Sequence, residues 1–236
     1  MSVQVRQTRP EDFGHIIELC RRVYPESPTW TEAQLGSHQT IFPEGQLVAV
    51  QEGRLVGMSA SLIVLWNDYA MDTAWRHFTD HGMFTNHDPS RGRTLYAAEV
   101  MVDPAVQGAG VGTRIYAARR ELAERLGLLR IRAGARLRGY HAHAERLTPE
   151  DYLEQVARGQ IYDPTVTFQL RRGFRVLGPI PKYLRHDPES LGHAACIEWL
   201  NERVATPADR DIGELRYQVP FLAPPRAGDP ADRSSD

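Results

Sequence analysis

At 236 residues, 42% of them hydrophobic and 25% charged, the chain has ordinary globular composition and room for one large α/β domain or two small ones. A net charge of −2 gives no electrostatic reason to expect nucleic acid or an anionic membrane as a partner. No apolar run reaches the roughly 18 residues of a membrane span, and the opening MSVQVRQTRP lacks a signal peptide's apolar stretch, so a cytoplasmic protein is expected.

In chain order, Val3–Thr8 alternates weakly and reads as a first strand. Pro10 and Glu11 open a helix that runs to about Val23, where Pro25 stops it. Cys20 falls on that helix's apolar stripe with Phe13, Ile16, Ile17 and Val23, and Cys196 lies in a distant apolar run, so both read as buried, reduced thiols. Thr31-Glu32-Ala33-Gln34 carries a capping signal for a shorter helix that ends before Pro43. Gln46–Val50 and Arg54–Trp66 flank the turn Glu52-Gly53 and predict a hairpin.

Asn67–Arg93 is long, polar and aromatic, a length unusual in a compact domain unless it is functional or holds its own short helix. Thr94–Val102 is a strong strand ended by Asp103-Pro104. A glycine-rich turn follows at Gln107–Gly112, and Val111, Ile115, Ala118, Leu122 and Leu126 mark a helix stopped by Gly127. Leu128–Ala133 is the next strand. A second excursion, Gly134–Tyr162, holds Tyr140, His141 and His143 and a helix signal at Thr148-Pro149-Glu150. Asp163-Pro164 opens a helix through Arg172, closed by Gly173. Phe174–Leu177 and Ala194–Trp199 are the last strands. The division expected is a domain over 1–205 and a Pro/Arg/Asp-rich tail over 206–236, mobile at least from 225.

The informative segment runs from Glu99 to Thr113. A strand enters a small-residue turn, and the turn enters an amphipathic helix, so successive unpaired N–H groups converge at the positive end of the helix dipole. That is an anion site without a charged side chain. Three phosphate motifs compete for it. A P-loop needs a lysine that is absent here, and the dinucleotide fingerprint fails because Thr113 stands at its last glycine. The fit is Gln-x-x-Gly-x-Gly, at Gln107, Gly110 and Gly112. A tight turn without ligand needs one glycine, and Gly108, Gly110 and Gly112 exceed that.

With Val102-Asp103-Pro104 before it, this segment resembles the core signature of the GNAT superfamily of acyl-CoA N-acyltransferases. The preceding hairpin, the following strand and the Arg172-Gly173-Phe174 junction fall in that family's order, over roughly residues 3–200. A narrower resemblance, carried by Trp30–Leu35, Ile41–Leu47, Gly139–His141 and Phe168–Phe174, is to the acetyltransferase domain found fused to nitrilase-type carbon–nitrogen hydrolases, of which this would be a stand-alone version. The resemblance implies a mixed, twisted sheet of six or seven strands with helices on both faces, splayed between Thr94–Val102 and Leu128–Ala133. It implies acetyl-CoA or another acyl-CoA as co-substrate and a small-molecule or peptide amine as acceptor. Its diphosphate would lie on Gln107, Gly108, Ala109, Gly110, Val111, Gly112 and Thr113, and its pantetheine on Val100, Met101 and Val102.

For the chemistry, Glu99 is the candidate base, being a carboxylate on the strand that should carry the acyl group; the alternative is a solvated or salt-bridged glutamate. The family's usual acid is a tyrosine four residues before the glycine of the Gly-Phe junction. That position is Gln169 here, and Tyr162 stands where many members place an asparagine. Tyr140, His141 and His143 offer a substitute, the alternative being surface residues on a loop. The acceptor pocket is expected from the two excursions, with Trp75, Phe78, Phe84, Tyr140, His141 and His143 as its walls, or else from Trp30–Gln46. No metal site is expected, since His141 and His143 have no further ligand set around them. A homodimer is compatible with the sequence. The reading from another class is a CoA-binding regulatory or partner module with little or no catalysis.

Overall fold

The computed structural model describes residues 3–185, 187–210 and 213–218. The mobile tail expected from 225 lies outside them.

Seven strands form one mixed sheet in the order β1-β2-β3-β4-β5-β7-β6. They are β1 (Val3–Gln7), β2 (Leu47–Gln51), β3 (Arg54–Val64), β4 (Thr94–Val102), β5 (Arg130–Arg136), β6 (Arg175–Ile180) and β7 (Ala194–Leu200). All neighbours are antiparallel except β4 and β5. That parallel pair is short. Thr94, Leu95 and Tyr96 pair with Arg130, Ile131 and Arg132, and beyond Tyr96 the two strands part. The expected splay is therefore present, and its gap opens toward the C-terminal ends of both strands.

Helices cover both faces. On one, α1 (Phe13–Val23) and α2 (Glu32–Ile41) pack Ile16, Leu19 and Leu35 against Met58, Leu62, Tyr96 and Met101. Thr31 caps α2 as its sequence predicts: its hydroxyl accepts from the Gln34 N–H, and Gln34 Oε1 accepts from the Thr31 N–H at 3.0 Å. The short α3 (Trp75–Phe78) joins this layer from the first excursion. On the other face lie α4 (Val111–Arg125), α5 (Pro149–Ala157) and α6 (Val166–Leu170), with Tyr116, Leu122, Leu153 and Val166 against Leu95, Ile131 and Ile197.

Two expected elements shift. The strand expected at Leu128–Ala133 runs instead over Arg130–Arg136, because Leu128 and Leu129 are spent on the helix–strand turn, where Leu129 N–H donates to the Arg93 carbonyl. The helix expected from Asp163 to Arg172 is shorter, although Asp163 still caps its start through 2.8 Å bonds from the Thr165 and Val166 N–H groups.

The described C-terminal stretch packs on the body. A short α7 (Pro207–Arg210) follows β7, and Tyr217 is buried in the larger core cluster. Glu214 N–H bonds the Leu177 carbonyl at 2.9 Å. Beneath it, fully buried Glu198 accepts from Arg130, Arg132 and Arg175, and Asp209 adds a second carboxylate to Arg130.

Candidate active site

The glycine turn has a left-handed backbone at the start of α4. Gly110 stands at the N-cap of α4 with φ +84° and no side-chain cap, and Gly108 has φ +85°. A Cβ on either would meet nothing within 4 Å, so glycine serves the left-handed backbone there rather than a close neighbour. Among the described residues, the N–H groups of Gly108, Gly110, Val111, Gly112 and Thr113 have no hydrogen-bond acceptor; Arg114 is the first whose N–H bonds back, to the Gly110 carbonyl. Five unpaired amides at the positive end of a fifteen-residue helix suit a diphosphate.

The strand leading into this cradle is bulged. Ser61 pairs with Ala97 and Ala60 with Glu99, so Ala98 is an extra residue. The bulge changes the facing of everything after it. Leu95 and Ala97 point to the α4 face and Tyr96 and Ala98 to the α1 face; after the bulge Met101 points to the α1 face while Val100 and Val102 pack on the α4 face. Glu99 thereby turns to the α1 side. A regular strand would have turned it toward α4. Asp103 N–H donates to the Val56 carbonyl, so by strand alternation the N–H groups of Val100 and Val102 face the gap; Val100's is taken by Glu99 Oε1, and Val102's is placed to pair with a pantetheine arm.

The bulge is held from both faces. Trp75 Nε1 donates to the Ala98 carbonyl at 2.9 Å from the α1 side. From α4, the guanidinium of Arg119, 1% exposed, reaches the Glu99 carbonyl at 2.7 Å, the Ala60 carbonyl at 3.3 Å and Ser61 Oγ at 3.0 Å. The helix that presents the anion cradle is thus tied to the peptide that carries Glu99.

Glu99 Oε1 accepts from the Tyr24 hydroxyl and the Val100 N–H, both at 3.0 Å. No bond to Oε2 is found among the described residues. Burial pushes the carboxyl above its ordinary range, and the Tyr24 bond, the Val100 amide, Arg136 and Arg119 pull it only part of the way back. Arg136 lies over the Tyr24 ring at 5.4 Å and is itself held by Asp187 and Glu189.

These groups line one cleft of about 650 Å³. Its inner half is the gap itself, with Ala97–Val100 on one wall, Ala133–Ala135 on the other and Tyr116, Thr165 and Gln169 above. Its outer half is walled by Tyr24–Trp30, Trp75 and Tyr183. Gly134 is needed there, because a Cβ would stand 2.2 Å from the Tyr183 ring.

Gln169, the residue at the family's acid position, lines the cleft beside Tyr116 and favours that phenol's charged form slightly. Burial raises the Tyr116 phenol and keeps it protonated. The sequence reading missed Tyr116, although it stands on α4 three residues before Arg119 and seven before Ala123, a second buried stripe beside the one it followed.

The structure does not bring Tyr140 and His141 to this cleft. Tyr140 is 5% exposed, its hydroxyl is spent on the Leu147 carbonyl at 3.0 Å, and its ring packs against Tyr152 and His193. His141 is exposed and bonds the Glu189 carbonyl through Nδ1. His143 packs on Tyr152. Phe78 and Phe84 are fully buried in the α1-side core. Of the expected aromatic walls only Trp75 lines the cleft; the other walls come from the connection between α1 and α2 and from residues 183–185 and 187–189. Among the described residues no group of three or more His, Cys, Asp and Glu side chains is placed to hold a metal, and no helix is long and apolar enough to cross a membrane.

A sheet parted beside a helix that offers free amides, with a half-buried carboxylate at the parting, is the architecture of the GNAT acyltransferase fold. The chain belongs to the acetyltransferase (GNAT) family, whose family model matches residues 11–145. It is similar to the probable hydrolase YhcX of Bacillus subtilis (strain 168), 40% identical over 197 residues; that match covers 84% of this chain and only 38% of YhcX. It is also similar to the uncharacterized N-acetyltransferase YkwB of the same organism, 35% identical over 204 residues, covering 85% of this chain and 89% of YkwB. Among solved structures, the GphF GNAT-like decarboxylase in complex with isobutyryl-CoA superposes with a TM-score of 0.67 at 24% identity, covering 84% of this chain and 98% of that one, a likeness of fold.

Proposed function

We propose that the chain moves an acyl group, acetyl in the simplest case, from acyl-CoA to the primary amine of a small molecule or peptide. The observation that carries this is the position of Glu99: a carboxylate held on one oxygen, free on the other, at the mouth of the gap between β4 and β5. The donor's diphosphate would rest on the amides of Gly108–Thr113, and its pantetheine would run along Val100–Val102.

The chemistry follows from those placements. An ammonium entering from the outer half of the cleft gives a proton to Glu99 Oε2, and burial makes that carboxylate a stronger base than an exposed one. The amine lone pair then attacks the thioester carbonyl. The carbonyl oxygen gains charge as the C–N bond forms, and an N–H group of β4 facing the gap can stabilise it by on the order of 3 kcal/mol. The C–S bond breaks, the leaving thiolate takes a proton from Tyr116, and the second proton of the acylated nitrogen goes to water, which returns one to the phenolate; Tyr116, beside Gln169, thus takes over the task of the family's usual tyrosine. Amine and thioester become amide and thiol.

The test is thiol release from acetyl-CoA across a panel of primary amines, with the amide identified by mass spectrometry. Thiol release without amide would point to hydrolysis. If CoA raises the melting temperature while no amine supports thiol release, the chain is a CoA-binding module and the proposed turnover is wrong.

A further inference from the structure

Resting on that reading, we infer that the acceptor is a monoamine with an apolar, preferably aromatic, body: an arylalkylamine, not an amino acid, a polyamine or a phosphorylated amine. The argument starts from charge. The outer half of the cleft carries three carboxylates besides Glu99 (Glu26, Asp187 and Glu189) and three arginines (Arg136, Arg138 and Arg185). Asp187 and Glu189 are committed to Arg136, and Glu189 also to Arg138. That leaves Glu26 and Arg185, both exposed and without an ion-pair partner among the described residues, one of each sign. The rim therefore has no net field to draw in a polycation or a polyanion.

Selection falls to the floor and walls. The floor is Glu99, the one carboxylate set inside the cleft and away from the exposed rim, whose carboxyl oxygens bond the Tyr24 hydroxyl and the Val100 N–H and no arginine. Around it stand Tyr24, whose hydroxyl bonds it, and the rings of Trp30, Trp75 and Tyr183, with Cys20, Val23 and Pro28 filling the apolar surface between. Trp30 and Trp75 meet at 5.7 Å with planes inclined by 58°, so they form a corner and not a stack. A carboxylate within an aromatic corner holds an organic ammonium by charge and by ring faces together, and it offers the rest of the molecule apolar area. Inside, the charged groups besides Glu99 are guanidiniums already engaged, Arg136 by Asp187 and Glu189 and Arg119 by the Ala60 and Glu99 carbonyls. A carboxylate α to the amine would sit beside Glu99 and be repelled, and a second ammonium would be stripped of water against indole faces.

Binding tests this without relying on turnover. The protein saturated with CoA is titrated with 2-phenylethylamine, L-phenylalanine and spermidine, following tryptophan fluorescence. The expected result is saturable quenching by 2-phenylethylamine, with a Kd at least about tenfold below those of the other two, and a loss of at least about tenfold in Glu99→Gln. Equal or tighter binding of L-phenylalanine or spermidine overturns the inference, and so does the absence of saturable quenching by 2-phenylethylamine up to about 10 mM. Either result leaves acyl transfer to another amine standing, because thiol release is read separately; thiol release absent for every amine, with 2-phenylethylamine bound, sinks the catalytic reading and not this one.

Discussion

Replacing Glu99 with glutamine separates the chemistry of the carboxylate from its place in the fold. Glutamine keeps a carbonyl oxygen able to accept from the Tyr24 hydroxyl and the Val100 N–H, and puts an NH2 group where Oε2 is unbonded. The base is lost and the hydrogen bonds remain. Without general-base assistance kcat/KM should fall by about 10²–10⁴-fold, or roughly 2.7–5.5 kcal/mol. Stability should move the other way or not at all. Burial raises the folded-state pKa of this carboxyl above its unfolded value, so the wild type gives up stability as pH rises through the folded pKa, and a neutral side chain avoids that loss at pH 7. The titratable groups facing Glu99 are Cys20 from α1 and Tyr24 just past it, Tyr116 and Arg119 from α4, Arg136 from β5, and Tyr183; of the two cations, Arg136 keeps Asp187 and Glu189 as anions and Arg119 loses its neighbouring charge. The assay is a pH series of kcat/KM with a good acceptor, beside thermal melts. The wild type should climb on its acid side through a pKa above the ordinary carboxylate range, and that limb should vanish in Glu99→Gln. A variant that keeps its rate within about threefold and retains the limb would remove Glu99 from the mechanism.

Gly110→Asp should abolish CoA binding by calorimetry while leaving the fold intact, since aspartate tolerates a left-handed φ and its Cβ has open space, but its charge opposes the diphosphate; binding equal to wild type would move the cradle elsewhere. Tyr116→Phe should lower kcat by about tenfold or more with KM little changed, and the loss should shrink with a thioester whose leaving thiol is more acidic; a loss independent of the leaving group would mean that the hydroxyl only positions Gln169. Glu198→Ala should cost about 3–5 kcal/mol in urea unfolding, because Arg130, Arg132 and Arg175 would be left around a vacated site in the sheet. A cost under about 1 kcal/mol would show that the network is indifferent to its centre.

Much of this was legible in the sequence because it is local. The capping box at Thr31–Gln34, the glycine spacing after Pro104 and the stop at Gly127 each act within a few residues, and each appears where its chemistry requires. The order of elements then followed, and with it the parallel pair that parts. Less legible was anything that depends on which segments meet. Tyr140 and His141 have the right chemistry in a long excursion, yet a hydroxyl bonded to Leu147 and a ring wedged against Tyr152 are contacts that no spacing reveals. The outer wall of the cleft comes from Tyr24–Trp30, a Pro- and Ser-containing connection that reads as a plain turn until α1 sets it over β4. The bulge was hidden for another reason. The run Thr94–Val102 is apolar on both faces except at Glu99, so no alternation exists from which a break in period could be noticed.

That extra residue gives β4 two independent reading frames. The segment before Ala98 is phased by its pairing with β5, and the segment from Glu99 on by its pairing with β3 as it leads into the cradle. Deleting Ala98 would merge the frames: every backbone partner on either side is still available, while the carboxylate swings through the sheet to the α4 side, away from Tyr24 and from whatever enters past Trp30. A chain shortened by that one alanine would be expected to fold and to bind CoA while losing the reaction, which makes single-residue length, rather than any side chain, the most economical way for this fold to turn an enzyme into a sensor of acyl-CoA.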